Sequence, residues 1–336
     1  MLIPFVIDSD SLAPDSEWSP QTQRACYNDF IDAWMEAGLL AVDGDKIECS
    51  ILFKSINSIP EKYRKRIQEL MKRCPIRCIP DWKGSINNYC DLGVIAPDAK
   101  LALVDDIRAE LEFGLSAEDD EILNPETKVT VCRFQLFRHS QVIRDYEFLA
   151  SAHIVRGDKF LDIWNKRFLN LAIAPIRHIN IVDRFAVSRH FNTSQAKLSG
   201  LERFLKLLNE YASGDRNVTI YSAWTDELQN IATQGIKDEL FDLKRKYSHK
   251  IKKIEIYMAP NGVFKKDAHD RFISFHISDC HQYVWDLGEG LTVFEGPCSE
   301  VKSSAKFIAG LVPSYQNVKK DIVNSKDTKL IRCDVN

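Results

Sequence analysis

Two groups of residues in this 336-residue chain have the types and spacing for phosphate chemistry. The first lies in Lys266-Asp267-Ala268-His269-Asp270-Arg271-Phe272-Ile273-Ser274-Phe275. His269 and Arg271 stand at i and i+2, which puts both on one side of an extended segment. An imidazole serves as nucleophile or acid/base near neutral pH, and a guanidinium two residues on clamps a phosphate through paired hydrogen bonds. A second pair, Asp183-Arg184, lies at the end of an apolar run, and Arg189 and His190 follow within a few residues. The candidate catalytic residues are therefore His269, Arg271, Asp183 and Arg184. Lys252, Lys253, Lys265 and Lys266 would raise the positive potential around them.

The second group is acidic. Asp8 and Asp10 follow the run Leu2-Ile3-Pro4-Phe5-Val6-Ile7, and Asp105 and Asp106 follow Leu101-Ala102-Leu103-Val104. Asp32 and Glu36 stand one turn apart on the intervening helix. Carboxylates converging from strand ends hold Mg²⁺ or Mn²⁺, hard cations that prefer oxygen ligands, and such a metal activates water against a phosphodiester. Asp8, Asp10 and Asp105 are the candidate metal ligands. The competing structural role is capping: Asp8 would cap a turn, and Asp105 and Asp106 would open a helix at 107–115 against its dipole.

The elements that must position these residues alternate between strand and helix periodicity. In the first half the pattern predicts a buried strand over 1–8, then a helix over 22–38 with Gly38 as its stop. A capping box, Ser58-Ile59-Pro60-Glu61, opens a helix running to Arg73, whose outer face carries Lys62, Arg64, Lys65, Arg66, Lys72 and Arg73. Further strands are expected at 100–106 and 129–137. The second half predicts strands at 179–185, 217–222 and 253–258. Between them come a helix capped by Ser199-Gly200-Leu201-Glu202 and a long helix over 226–247. Short strands at 271–277, 282–286 and 291–294 surround the turn Gly288-Glu289-Gly290. Strands separated by helices pair in parallel through crossovers, which makes the fold class α/β with two α/β domains. The expected divisions are an acidic domain over 1–150, a connection over 151–168, a second domain over 169–312, and a loosely held tail over 313–336.

Charge separates the halves. The net charge of −3 conceals 17 Lys+Arg against 26 Asp+Glu in residues 1–150, and 28 against 22 in residues 151–336. No apolar run reaches the ~18 residues of a membrane span, and no basic, signal-like segment precedes the first strand. The nine cysteines are odd in number and widely spaced. The Cys74-Pro-Ile-Arg-Cys78 gap, with Cys90 beyond, has no second knuckle for zinc, so reduced thiols in a cytoplasmic protein with no membrane partner are expected.

Residues 165–310 resemble the phospholipase D-like fold, in its degenerate one-motif form found among bacterial defence-associated proteins. The resemblance rests on strand-Asp183-Arg184, a capped helix, two further strands, His269-Asp270-Arg271-Phe272-Ile273 and a Gly-rich turn. It maps His269 onto the family's nucleophilic histidine and Arg271 onto its lysine. The sequence departs in carrying arginine for that lysine and His276 for the motif's aspartate, and neither His139, His153 nor His178 begins a second motif. Residues 1–150 resemble a PIN-like nuclease domain, a three-layer sheet with an early strand-Asp, a helical acid, a late strand-Asp and the wording Trp34-Met35-Glu36-Ala37-Gly38-Leu39-Leu40. Together the two resemblances imply a metal-dependent nuclease in antiphage defence, using Mg²⁺ or Mn²⁺ in the acidic half and gripping nucleic acid with the basic half. The alternatives are a phospholipase D-like phosphodiesterase that uses His269 across a homodimer, and a non-catalytic phosphate- or nucleic-acid-binding adaptor of a larger defence complex.

Overall fold

The computed structural model describes residues 1–14, 18–193, 197–228, 231–266, 271–278, 281–296, 302–310 and 313–333. The chain is α/β and divides into two compact units, Leu2–Leu149 and Ala150–Asn336, the latter also holding Met1. Among the described residues no helix is long and apolar enough to cross a membrane.

The first unit is built on strands β1 (Ile3–Ile7), β2 (Gly38–Asp43), β3 (Ile76–Ile79), β4 (Leu101–Val104), β5 (Glu121–Leu123) and β6 (Thr130–Arg133). Their order is β3-β2-β1-β4-β6-β5, all parallel except β5, which runs antiparallel to β6. Every residue of β1, β2 and β4 is buried, as a parallel sheet covered on both faces requires. Helix α1 (Pro20–Ala37) starts on Ser19, whose Oγ accepts from the Thr22 amide (3.0 Å), with Pro20 in the first turn. It lays Phe30 and Trp34 against Phe5 and Phe137. Gly38 stops this helix, its amide donating to Trp34 O. It opens β2 directly, and a Cβ there would sit 2.7 Å from the Phe5 ring. The expected capping box before helix α2 (Glu61–Arg73) does not form: Ser58 donates to Ser55 O, and Pro60 stands at the cap. The expected strand over 129–137 is shorter, because Phe134–His139 turns into a 3₁₀ helix. Asp105 does cap a helix, α3 (Asp106–Leu111), its Oδ1 accepting from the Arg108 amide (2.8 Å).

The second unit has β8 (His178–Val182), β9 (Arg216–Trp224), β10 (Ile251–Pro260), β11 (Phe272–Ser278), β12 (His281–Leu287), β14 (Ala305–Ala309) and β15 (Lys329–Cys333) in one sheet. Its order is β14-β12-β11-β8-β9-β10-β15, while β7 (Ile154–Val155) and β13 (Lys302–Ser303) pair separately. Strands β8, β9 and β10 are parallel, and the flanking strands are antiparallel to their neighbours. The helices that matter for the site are α4 (Ala186–Asn192), α5 (Gly200–Tyr211), α6 (Thr233–Lys246) and α7 (Pro313–Asn324).

Three sequence expectations change here. The stretch 151–168 is no mere connection: Trp164 and Phe168 are fully buried and meet Phe204, Phe294 and Trp285 in the core on one face of the sheet. The stretch 313–336 is no loose tail. Its helix α7 packs Tyr315 on Phe272 over the other face, and its strand β15 pairs with β10 as the sheet's edge. Residues 291–294 belong to a 3₁₀ turn, Gly290–Phe294, rather than a strand. Gly290 sits at φ +61°, where a Cβ would collide with Asp183 Oδ2. Gly290→Ala is therefore expected to lower unfolding free energy by about 2–4 kcal/mol, from left-handed strain plus overpacking, measured as a drop in urea midpoint. A wild-type midpoint in this variant would contradict the packing described.

Candidate functional site

In a parallel sheet the carboxyl ends of the strands surround the ligand crevice. In the second unit this edge carries Asp183 and Arg184 after β8, Trp224 at the end of β9, Asn261 after β10, and Arg271 just before β11. Antiparallel β11 starts where β8 ends, Phe272 pairing with Val182, so residues distant in sequence meet at one edge.

The loop after β8 is tied to β9, with the Ser222 hydroxyl (3.0 Å) and the Ala223 amide (3.1 Å) both donating to Arg184 O. This holds Phe185 in place, and three guanidinium groups gather on its ring. The carbon centres of Arg184, Arg271 and Arg189 lie 4.9, 5.2 and 5.6 Å from the ring centroid. Arg184 Nε donates to Asn261 Oδ1 (2.7 Å). Arg271 Nη1 donates to Gly288 O (3.4 Å) and stands 3.8 Å from Glu289 Oε2. Among the described residues neither Arg184 nor Arg189 has an ion-pair partner. Glu227, its carboxyl held below the usual carboxylate range by the Thr225 hydroxyl, acts on Arg184 only through the field. At the same edge the Lys329 ammonium lies 5.4 Å from the Trp224 ring centroid.

Of the four candidate catalytic residues, Arg271, Asp183 and Arg184 come together here, and His269 lies outside the described residues. Asp183 does not face the crevice. It is buried, the Phe185 and Leu291 amides donate to its two oxygens (2.9 and 2.8 Å), and burial pushes its carboxyl up against the pull of those amides, Arg271 and Arg189. Its two oxygens tie the loop after β8 to the turn at Gly290–Phe294. Arg189, from α4, joins Arg184 and Arg271 on the Phe185 ring, which its sequence position alone does not predict. Lys252 and Lys253 do not belong: they start β10, roughly 25 Å along the strand from the crevice at ~3.3 Å per residue. Lys252 donates to Ser248 O and His249 O, and Lys253 pairs with Glu255 at 2.9 Å.

His276, at the aspartate position of the resembled motif, is held inside. Its Nε2 is surrounded by Asn180 Nδ2 (2.7 Å), Ser274 Oγ (3.0 Å) and, from α7, Lys319 Nζ (3.2 Å). Burial first, then Lys319 and His178, lower its pKa to about 4. Burial lowers Lys319 to about 8. With the folded value of His276 below the free value near 6.5, the unfolded chain takes up its proton first as pH falls. Stability is then lost from pH 6.5 down to about 4. Roughly 2–3 kcal/mol should vanish between pH 7 and 4.5, read as a urea-midpoint shift. His276→Gln should flatten that dependence, and an equally steep profile in the variant would sink this assignment.

In the first unit the acidic residues also converge. Asp8 follows β1 and Asp105 follows β4, adjacent strands where the connections switch direction, the point at which such sheets bind ligands. Asp8 is fully buried, its Oδ1 accepting from the Ile86 amide (2.9 Å), its Oδ2 from the Asp10 amide (3.1 Å) and the Ser11 hydroxyl (3.3 Å). All three carboxylates turn to one cation, Arg108: Nη1 pairs with Asp8 and stands 3.6 Å from Asp105, and Nη2 is 2.7 Å from Asp10. A divalent ion needs its oxygens at 2.0–2.2 Å around an unobstructed centre, and the guanidinium fills the place where it would go. Among the described residues no group of three or more His, Cys, Asp or Glu is arranged to hold a metal. The residues therefore do not fit Mg²⁺ or Mn²⁺. Asp32 and Glu36 are turned elsewhere, to Arg66 (3.7 Å) and Arg138 (2.6 Å). On the basic face of α2, Lys65 pairs with Glu61, and Lys72 and Arg73 with Glu69. A cleft of about 200 Å³ beside the acidic centre is walled by Trp18 and Phe134, whose rings stack at 6.5 Å.

Compared with known families and curated proteins, the chain matches no family model and no curated sequence.

Proposed function

We propose that the second unit binds a phosphodiester backbone, that of a nucleic acid, on Arg184, Arg189 and Arg271. One observation carries the proposal: three guanidinium groups are held against one ring with a single carboxylate, Glu289, within ion-pair distance among the described residues. Any two of these cations lie about 11 Å apart or closer, where like charges repel by roughly 1.5 kcal/mol at an effective dielectric of about 20. A fold that maintains such repulsion gains once an anion bridges the group. Arginine suits the task because its planar fork pairs with two phosphate oxygens at once. Trp224 at the same edge, with Lys329 beside its ring, favours a nucleic acid over free phosphate, since bases stack on aromatic side chains beside a basic groove.

No step is assigned to a metal, which the place of Arg108 among the three carboxylates of the first unit supports. The test is a set of fluorescently labelled single- and double-stranded DNA and RNA oligonucleotides, each titrated with the full chain with and without EDTA, with product lengths read on a denaturing gel. Saturable binding indifferent to EDTA and displaced by another oligonucleotide better than by inorganic phosphate is expected. Cleavage that needs Mn²⁺ and disappears in Asp8→Ala would restore the metal-dependent nuclease. EDTA-resistant cleavage lost in His269→Ala would make the protein a phosphodiesterase. No binding to any oligonucleotide ends the proposal.

A further inference from the structure

A second constellation lies in the helical layer of the same unit, where α4, which carries Arg189, also presents His190. Ser199 ends the loop before α5, and its Oγ accepts from the Glu202 amide (3.1 Å), capping the helix. The same Oγ is 2.8 Å from His190 Nδ1, at the end of α4. His190 Nε2 is in turn 3.0 Å from Glu239 Oε1 on α6. Ser199 is 1% exposed and His190 is largely enclosed, yet both line a polar pocket of about 310 Å³ with Thr193, Lys197, Glu202 and Glu239.

Hydrogen-bond directions are constrained here. Glu239 has only acceptors when ionised, so His190 donates to it from Nε2. A neutral imidazole then accepts at Nδ1, and the serine hydroxyl must be the donor. Serine, base and orienting carboxylate are thus connected in one line, the arrangement that activates a hydroxyl for nucleophilic attack. The first amides of a helix have no intrahelical acceptor. In α5 the Glu202 amide is taken by Ser199 Oγ and the Arg203 amide by Ser199 O (2.9 Å), which fixes Ser199 at the start of the helix.

We infer that Ser199, His190 and Glu239 form an acyl-transfer site that hydrolyses small carboxylic esters entering this pocket. The Ser199 Oγ attacks the ester carbonyl as its proton passes to His190. Collapse of the tetrahedral adduct breaks the bond to the alcohol, which leaves with that proton. Water, deprotonated by His190, then cleaves the acyl-serine, releasing the acid and restoring the hydroxyl. No other reactant is needed. Ser199 and His190 are catalytic in this scheme, and Glu239 is a positioning residue. The depth of Ser199 restricts substrates to those that fit the pocket, consistent with its small-molecule size.

The test uses the intact chain and a serine-reactive fluorophosphonate, which forms an Oγ–P bond with loss of fluoride. Peptide mass spectrometry is expected to find the adduct on Ser199, absent in Ser199→Ala and formed at least 100-fold more slowly in His190→Ala. Glu239→Gln is expected to slow the bond-forming step at least tenfold while the probe's binding constant stays within twofold. If Ser199→Ala fails to fold, His190→Ala, which keeps the serine and its cap bond, carries the test alone. Absence of an adduct on Ser199 in the folded wild type, or an adduct formed equally fast in His190→Ala, would overturn the inference and leave the three residues as a clamp between helices.

Discussion

Replacing Arg271 with glutamine is expected to weaken oligonucleotide binding by about tenfold to a hundredfold, the loss of one charge-assisted contact worth roughly 1.5–3 kcal/mol. Arg184→Gln and Arg189→Gln should act similarly, and the three together should reduce affinity by at least about 10³-fold. Their effects need not add, since all three sit on one ring and each removal also relieves repulsion between the remaining two. The fold should tolerate the changes better than the ligand does. Arg184 and Arg189 have no ion-pair partner among the described residues, and Arg271 has only a long contact to Glu289. A urea midpoint near wild type in Arg184→Gln, whose guanidinium does not offset the buried Asp183 charge as those of Arg271 and Arg189 do, alongside lost binding by fluorescence anisotropy, would separate a ligand contact from a structural one. Binding that survives the triple substitution would remove the site from the account.

Arg108→Ala should have the largest effect on stability. Asp8 is wholly buried and keeps its hydrogen bonds from Ile86, Asp10 and Ser11, but it loses the cation that offsets its charge. Breaking a buried pair from one side costs about 3–5 kcal/mol. Asp10 and Asp105 are then left facing Asp8 with their shared partner gone. The same substitution vacates the centre, so millimolar Mn²⁺ should partly restore the melting temperature of Arg108→Ala through preferential binding to the folded state. It should leave the wild type unchanged. Differential scanning calorimetry with and without Mn²⁺ reads both effects, and stabilisation of the wild type that is lost in Asp8→Ala would show that a metal displaces the guanidinium after all.

How much of this was legible from residues alone depends on the range of the interaction. Local rules worked where neighbours in sequence decide the outcome. Ser199 caps α5, Asp105 caps α3, and the apolar runs at β1 and β4 are buried strands. The meeting of Asp183, Arg184 and Arg271 was also accessible, because strand ends of a parallel sheet share an edge. Three things were not. Arg108 reads as an ordinary helical arginine, and only its position three residues after Asp105 hints that it would fold back on the acids. Arg189 joins the site through the turn into α4, which periodicity does not resolve. The stretch 313–333 looks polar and loose because an edge strand and an outer helix need few apolar residues, and their hold on the sheet comes from pairing with β10 and from Tyr315. Gly290 illustrates the same limit: its turn was visible, but its need for a missing Cβ comes from Asp183, 107 positions earlier in the chain.

The most direct test of the central claim is the salt dependence of binding. Each phosphate neutralised by a bound cation adds about 0.7 to the slope of log affinity against log salt for a single strand, and about 0.9 for duplex DNA. Affinity for one labelled single-stranded oligonucleotide should be measured from 50 to 300 mM salt in EDTA, for wild type and for the combined Arg184→Gln, Arg189→Gln, Arg271→Gln protein. A slope shallower by about 2 in the variant is the expected result. An identical slope in the two proteins would mean that the backbone is gripped elsewhere, and would contradict the assignment of these three arginines.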